Sequence, residues 1–271
     1  MKAKHVLMLA AVVVAFALAA IWWRSQQQGA VAPTQIASGS VPPASAPAAV
    51  PSPPVTHVIE PPTTAAPMTT ADIEPALVEL LGRKAVSLFL QTDSFVQGFV
   101  ATVDNLGRQH APASKWPVQP TTGRFTVQIQ DSETAIAADN SRRYTPFVQL
   151  VESVDTGRAV DLYVRLYPLL QQAYEELGYP KRNFNDRLIE VIDQLLATPD
   201  AAEPVAVVLT EVKGPIPSTR PWVRYQYADP ALESLSAGQK ILLRMGAVNE
   251  RRLKAKLADV RRGLMRRSTT R

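Results

Sequence analysis

The stretch Val160–Leu177, which reads VDLYVRLYPLLQQAYEEL, decides the fold of this chain. A helix that is apolar over much of its surface belongs at the centre of a core. Pro168 is expected to kink or divide this helix, because proline cannot donate a main-chain hydrogen bond. The first apolar stripe, at alternating spacings of three and four residues, is Val160, Tyr163, Tyr167, Leu170, Tyr174 and Leu177. The second stripe beside it is Leu162, Leu166, Leu169 and Ala173.

Helix signals also predominate on both sides of this stretch. The segments that predict further helices are 72–81, 83–90, 93–106, 145–154, 184–196, 236–246 and 249–264. Short apolar or alternating runs predict strands at 125–130, 205–209 and 223–227. We therefore expect a mainly α globular domain over residues 72–265, with a small β-sheet as a minor component.

The N-terminal region has the character of a membrane anchor. Val6–Trp23 is an uncharged run that would span about 27 Å as a helix, close to the hydrocarbon thickness of a bilayer. Lys2 and Lys4 precede the run, so the positive-inside rule places the N-terminus in the cytoplasm. Residues 1–24 are thus expected to be a single transmembrane helix that binds the lipid bilayer of the inner membrane, with the domain in the periplasm. The alternative is a cleaved signal peptide, since Ala17-Leu18-Ala19 has the small-x-small form of a cleavage site.

A spacer is expected between the anchor and the domain. Residues 25–71 are rich in Pro, Ala, Ser and Thr, with ten prolines between Pro33 and Pro67. Such a composition buries too little apolar surface to offset chain entropy, which predicts a disordered linker.

Six sequence blocks in this order resemble a known family. They are 99–106 (FVATVDNL), 144–147 (YTPF), 163–168 (YVRLYP), 171–178 (QQAYEELG), 184–188 (FNDRL) and 235–240 (LSAGQK). Together they are similar to the bacterial envelope family known as domain of unknown function 3014, over roughly residues 72–264. The resemblance implies a single N-terminal anchor followed by a domain of this kind. It implies no activity and no catalytic or binding residues.

Positive charge is concentrated at the C-terminal end. The chain carries a net charge of +5, whereas residues 244–271 hold ten Lys or Arg against two acids. We expect a basic patch on the last helix, followed by a basic tail at 266–271. Such a patch would attract anionic lipid headgroups or an anionic envelope polymer, or it would simply be solvated. The patch residues are Arg251, Arg252, Lys254, Lys256, Arg261 and Arg262.

Two predicted helices near this end, 236–245 and 249–265, also have the spacing of a helix-turn-helix. Binding to DNA would require a cytoplasmic domain, which the charge rule disfavours, so nucleic acid is not an expected partner.

Metal and cofactor sites are not expected. The chain has no cysteine, and His110 is the one histidine within the predicted domain. We expect His110 to lie in a loop, with a role as catalytic base as the alternative. Asp186, Glu190 and Asp193 share one face of a predicted helix and are expected to be solvated, the alternative being a cation or partner site.

The central helix also carries a narrow polar stripe. A charge beside a core must be paired or must line a cavity, so ion pairing and a ligand groove are both open. The groove candidates are Glu152, Asp155, Arg158, Asp161, Arg165, Gln172 and Glu175. Four aromatic residues in or beside proline-containing segments are candidates for an exposed interface or for packing at the core edge: Trp116, Trp222, Tyr225 and Tyr227.

These features favour a membrane-tethered, non-enzymatic binding or assembly module that recognises an envelope protein or an anionic polymer. The alternative is a hydrolase that cleaves cell-wall material with carboxylates near the central helix. The sequence contains no recognisable catalytic motif and assigns no catalytic residue.

Overall fold

Helices predominate in the computed structural model, which describes residues 57–60, 67–130, 132–211 and 219–270. The α-helices are α1 Ile73–Leu81, α2 Arg83–Phe89, α3 Phe95–Leu106, α4 Thr145–Ser153, α5 Thr156–Glu176, α6 Phe184–Leu196, α7 Pro230–Glu233, α8 Ala237–Arg244 and α9 Ala247–Arg267. The strands are β1 His57–Ile59, β2 Val127–Gln130, β3 Glu133–Ile136, β4 Val207–Leu209, β5 Tyr225–Tyr227 and β6 Ser268–Thr270. Single 3₁₀ turns occur at Thr70–Asp72, Ala113–Lys115 and Pro221–Val223, and a longer one at Ala138–Arg143.

The central helix α5 runs without interruption through Pro168. Of the two effects expected of Pro168, a kink or a division, division of the helix does not occur. Pro168 is exposed, whereas Leu166, Tyr167 and Leu170 around it are buried. Core packing on both sides of the proline thus holds the helix together, and the missing hydrogen bond falls on the solvent side.

The main core forms where α3, α6 and α9 pack around α5. Val100, Val148, Tyr174 and Phe184 are almost completely buried there. The ring centroids of Tyr174 and Phe184 lie 5.5 Å apart, and those of Phe99 and Phe184 lie 6.2 Å apart. The two stripes of the central helix supply much of this core, as their spacing predicted.

The strands beside this core form two antiparallel pairs, β2 with β3 and β4 with β5. A bridge between Ala135 and Ala206 joins the two pairs. Val205, Val207 and Tyr227 form a small second core beneath them. The small sheet is confirmed. Its second member in chain order, β3, reads ETAI and has too few apolar residues to be predicted from pattern.

The third antiparallel pair, β1 with β6, joins two distant parts of the chain. β1 lies in the segment predicted to be a disordered linker, and β6 lies in the predicted basic tail. The disorder expected at residues 57–59 is therefore wrong, because Ile59 is buried and β6 supplies a hydrogen-bonding partner. The prediction of disorder is based on the average composition of residues 25–71, which does not reveal a strand of three residues.

The capping box that Ser236 and Gln239 predict at the start of α8 is present. The last helix, in contrast, begins at Ala247 after Gly246, which adopts a φ of 82°. Asn249 lies inside α9 and its side-chain amide donates to the carbonyl of Ser141 at 2.9 Å. Asn249 therefore does not cap α9, and its amide links the helix to the turn before α4.

The predicted anchor Val6–Trp23 lies outside the described residues. Among the helices that the structure does describe, none combines the length and the apolar character needed to cross a bilayer.

Candidate functional site

The candidate residues for a ligand groove are spread over several surfaces. Arg158, Asp161 and Arg165 line a cavity of about 140 Å³ between α1 and α5, together with Glu79. Arg158 also donates to the main-chain carbonyl of Glu79 at 3.1 Å.

The other groove candidates are used elsewhere. Glu152 accepts a hydrogen bond from Arg252 at 2.8 Å, and Asp155 caps α5 by accepting from the N–H of Arg158. Gln172 and Glu175 bond to neighbours on the same helix. The structure therefore brings only Arg158, Asp161 and Arg165 to one cavity.

Three of the four aromatic candidates lie around the small sheet. The Arg124 guanidinium stacks 4.0 Å from the centroid of the Trp222 ring. The rings of Tyr225 and Phe125 lie 5.6 Å apart, and the buried Tyr227 donates its hydroxyl to the carbonyl of Lys240 at 2.7 Å. Trp116 lies instead beside Pro117 in the segment that packs on α3. These side chains are mainly packing elements, and they do not form one aromatic surface.

Most members of the predicted basic patch bond to other residues, on α9 itself or on neighbouring helices. Arg252 pairs with Glu152 on α4, and Arg261 pairs with Asp193 on α6. Lys256 donates to the main-chain carbonyls of Glu152 and Val154 at the end of α4. The positive charges of α9 thus attach this helix to its neighbours.

Two further members of the patch are also paired within α9, since Lys254 bonds Glu250 and Arg262 bonds Asp259. Arg251 is exposed, and no acidic partner is found for it among the described residues. Beyond the patch, Arg267 pairs with Asp161 on α5.

The acidic face of α6 is likewise partly used by contacts. Glu190 pairs with Arg187 on the same helix at 3.0 Å, and Asp193 pairs with α9. His110 lies exposed in a loop. Within the described ranges, no group of three or more His, Asp or Glu side chains could hold a metal ion.

Asp186, the third acid of that face, takes part in a site that the sequence did not predict. The main-chain N–H of His57 donates to Asp186 Oδ1 at 2.9 Å, and Asn185 Nδ2 donates to the carbonyl of His57 at 3.0 Å. Two adjacent side chains at the start of α6 therefore bind both polar main-chain groups of one residue. We call the surface formed by Asn185, Asp186 and β6 the strand site.

Two side chains of β1 complete the contact with the strand site. The imidazole Nδ1 of His57 lies 3.1 Å from Asp186 Oδ1. Ile59 is only 3% exposed and joins the main core. The segment is thus held by its main chain, by one polar side chain and by one buried apolar side chain.

A buried polar network orients the strand site. Asn185 is completely buried, and its Oδ1 accepts the Tyr163 hydroxyl at 3.1 Å. Because Oδ1 accepts this bond, the amide Nδ2 of Asn185 is directed at β1. The Tyr167 hydroxyl donates to Asn183 Oδ1 at 2.9 Å, and Asn183 in turn caps α6 by accepting from the N–H of Asn185.

Gln171 extends this network to the loop before α6. Its Oε1 accepts the N–H of Phe184 at 2.8 Å, and its Nε2 donates to the carbonyl of Arg182 at 2.9 Å. The first turn of α6 is therefore fixed by side chains of α5.

The two tyrosines of the network stay protonated over the physiological pH range. Burial raises the pKa of Tyr163 well above its ordinary value, with smaller contributions from Tyr167 and Asp186. Burial also raises the pKa of Tyr167 to about 12. Both hydroxyls are hydrogen-bond donors, and they preorganise the strand site for an uncharged main chain.

Four of the six sequence blocks meet at this end of α6. Tyr163 and Tyr167 come from one block, Gln171 from a second and Asn185 from a third. Asp104, from a fourth block, accepts from Arg187 Nε at 3.1 Å. The available signal was Asn185 itself, which lies one helical turn from Leu188 on the apolar face and, as a buried amide, requires a partner. Its partner is 128 residues away in the chain, so pattern alone could not supply it.

Comparison with known proteins relates this chain to a family. A family model described as a protein of unknown function (DUF3014) matches residues 95–261. No curated protein and no solved structure matches the chain. The matched residues include Asn185 and Asp186, whereas β1 and β6 lie on either side of the matched region.

Proposed function

The chain belongs to the DUF3014 family, and from this premise we propose that it is a membrane-tethered, non-enzymatic binding module for extended polypeptide segments. The uncharged run Val6–Trp23, with Lys2 and Lys4 before it, supports an anchor in the inner membrane and a periplasmic domain. The proline-rich segment after Arg24 serves as the spacer. The partner is then an envelope protein with an exposed extended segment.

The binding of the His57 main chain by Asn185 and Asp186 is the observation that carries this proposal. Main-chain contacts do not depend on side-chain identity, and addition of a strand to β6 extends them. Specificity comes from the buried position of Ile59. A segment that places a β-branched apolar residue there fits the strand site as β1 does.

Contacts of the carboxylates near the central helix favour binding over hydrolysis. Glu152 and Asp161 form ion pairs, Asp155 caps a helix and Glu175 accepts from Gln171. A general acid needs a raised pKa and access to substrate, and these groups are engaged in structural contacts. The carboxylates named by the hydrolase hypothesis therefore lend it no support.

A large cavity of about 330 Å³ gives no better support for hydrolysis. Aliphatic residues predominate in its lining, and its carboxylate, Glu203, accepts the N–H of Ala247 at 2.8 Å. Among the described residues that line it, none is an aromatic side chain that could stack on a sugar.

Pairing of the basic residues on α9 likewise favours a polypeptide over an anionic polymer. Three arginines of α9 pair with acids on other helices: Arg252 with Glu152, Arg261 with Asp193 and Arg267 with Asp161. A polyanion would have to compete with these contacts.

The proposal is tested by releasing β1 and offering it again in trans. In the full chain in detergent, Ile59→Asp should remove β1 from the strand site, because a carboxylate cannot be buried in the apolar position of Ile59. A fluorescent peptide of residues 55–62 should then bind saturably. Far-UV circular dichroism would verify that the variant remains folded.

Two controls make the peptide experiment specific. The same peptide with aspartate in place of Ile59 should not bind. Adding Asn185→Ala to the released chain should weaken binding about fivefold to tenfold, the value of one hydrogen bond. Equal binding of both peptides, or no binding to the folded Ile59→Asp chain, would refute the proposal.

A further inference from the structure

The outer strand of the small sheet, β2, has main-chain groups that find no hydrogen-bond partner among the described residues. The N–H of Ala137 donates to the carbonyl of Thr126 at 3.1 Å, which makes these two a hydrogen-bonded pair. Hydrogen-bonded and non-bonded pairs alternate along an antiparallel ladder. Val127 and Ile129 are therefore at non-bonded positions, and their N–H and C=O groups point away from β3.

The apolar face of the sheet also extends to this edge. Val127 lies opposite Ile136 and Ile129 lies opposite Thr134. Val127 and Ile136 pack against the second core, whereas Ile129 is 80% exposed. A buried apolar face therefore ends in a large exposed side chain at the edge strand.

Edge strands usually carry charges or prolines that prevent pairing with another chain. β2 reads VQIQ and contains neither. Both its hydrogen-bonding groups and its neutral side chains are thus suited to receiving another strand.

We propose that β2 pairs antiparallel with β2 of a second copy of this chain, with Gln128 on the two-fold axis. In this register, Val127 of one copy lies opposite Ile129 of the other, and the reverse holds by symmetry. The four outward-facing groups on each strand then form four main-chain hydrogen bonds between the copies. A shift of one residue would place bonded positions opposite non-bonded ones.

The side chains agree with this register. A two-fold axis perpendicular to the sheet keeps Val127 and Ile129 of both copies on one face, so the apolar surface continues across the junction. On the other face, the two Gln128 side chains meet at a close, non-bonded pair and can exchange amide hydrogen bonds.

Charges at the two ends of the strand are complementary as well. Arg124 is exposed three residues before β2, and Glu133 is exposed just beyond the turn that follows it. Antiparallel pairing brings Arg124 of each copy to the end that carries Glu133 of the other. This favours a second copy over an unrelated extended strand.

The contact is small, so the expected association is weak. Two four-residue strands bury much less than the roughly 1,200–2,000 Å² of a stable interface. Two copies held on the same membrane would meet at a raised local concentration, which compensates for low affinity.

Disulfide crosslinking tests the register, because the chain contains no cysteine. The β carbons of a close antiparallel pair are about 4.5–5.5 Å apart, near the spacing that a disulfide requires. Gln128→Cys in the full chain in detergent should form a covalent dimer under mild oxidation. The matched control is Gln226→Cys, on the exposed side of β5.

We expect about tenfold more covalent dimer from Gln128→Cys than from Gln226→Cys, equivalent to a preference of about 1.4 kcal/mol. Adding Ile129→Lys should reduce dimer to the control level, since a lysine protects the edge. Equal crosslinking of the two cysteine variants, or crosslinking that Ile129→Lys leaves unchanged, would overturn the proposal. Ile129 is exposed, so this variant should fold normally.

Discussion

Asp104 is buried at the end of α3, where two arginines neutralise its carboxylate. Arg187 Nε lies 3.1 Å from Oδ1, and Arg187 Nη2 also donates to the Asp104 carbonyl at 2.8 Å. Arg108 Nη2 donates to Oδ2 at 2.8 Å. The Arg187 side chain is only 14% exposed, so the loss of Asp104 would leave a largely buried cation without its main partner.

We therefore expect Asp104→Asn to lower the free energy of unfolding by about 2–4 kcal/mol. Urea denaturation would measure the loss. The control is Asp259→Asn, which removes an exposed ion pair with Arg262 and should cost less than about 0.5 kcal/mol. Similar losses for the two variants would show that the buried ion pair stabilises the fold no more than the exposed one.

The buried Tyr167 predicts a loss of stability at alkaline pH. Burial raises its pKa to about 12 in the folded state, whereas an unfolded tyrosine titrates near pH 10. The protonated Tyr167 side chain makes its full contribution to the free energy of unfolding below pH 10. As pH rises from 10 to 12, the unfolded state loses its proton first, so the free energy of unfolding falls by about 1.4 kcal/mol per pH unit.

Tyr167→Phe has no such proton to lose and should show a shallower decline over the same range. Urea titrations at several pH values would compare the two chains. Parallel curves between pH 10 and 12 would contradict the assigned burial effect.

Residue patterns predicted the core better than they predicted the strand site. Spacing alone identifies Tyr163 and Tyr167 as inward-facing, because helix geometry is local. It does not reveal that their hydroxyls bind Asn185 and Asn183. Nor does it pair Asn185 with His57, since that contact depends on how the whole chain closes.

At the scale of elements, α5 shows how packing overrides a local signal. Pro168 leaves the carbonyl of Val164 without its usual donor, yet the helix continues because buried residues on both sides fix its path. The same logic applies to α9, whose positive residues were predicted to form a free patch. Three of its arginines, Arg252, Arg261 and Arg267, form ion pairs with α4, α6 and α5 and so stabilise the packing of α9. The sequence alone cannot show which acidic residues of other helices lie beside these charges.

Pro168→Ala should raise the free energy of unfolding by about 1–3 kcal/mol, because it restores a helix hydrogen bond on an exposed face. Thermal and urea unfolding would both report the gain. Pro146→Ala is the matched control, since Pro146 is also exposed but lies in the first turn of α4, where a proline costs little. A loss of stability in Pro168→Ala would mean that the proline fits a bend that the core requires.

At the scale of the whole molecule, strand β1 sets where the domain begins, because His57 is bound by Asn185 and Asp186. In the proposed topology, residues 25–56 rather than 25–71 then separate the anchor from the domain. The fold class and the family were accessible from sequence, because helix periodicity and the six blocks are continuous features. The docked strand was not, because it is three residues long within a proline-rich segment.

The proposed topology predicts that the domain is digested by protease in intact spheroplasts. A cytoplasmic marker protein in the same preparation should remain protected until lysis. Protection of the domain until lysis would show that it lies in the cytoplasm. The exposed Arg251 would then become a candidate for a nucleic-acid contact.

The measurement that tests the strand site most directly is hydrogen–deuterium exchange of the full chain, followed on a peptide that contains residues 57–60. We predict slow exchange in the native chain, because β6 and Asp186 hold this segment. Exchange should become fast in Ile59→Asp while the helices stay protected. Exchange of residues 57–60 in the native chain as fast as in the linker before them would contradict the strand site.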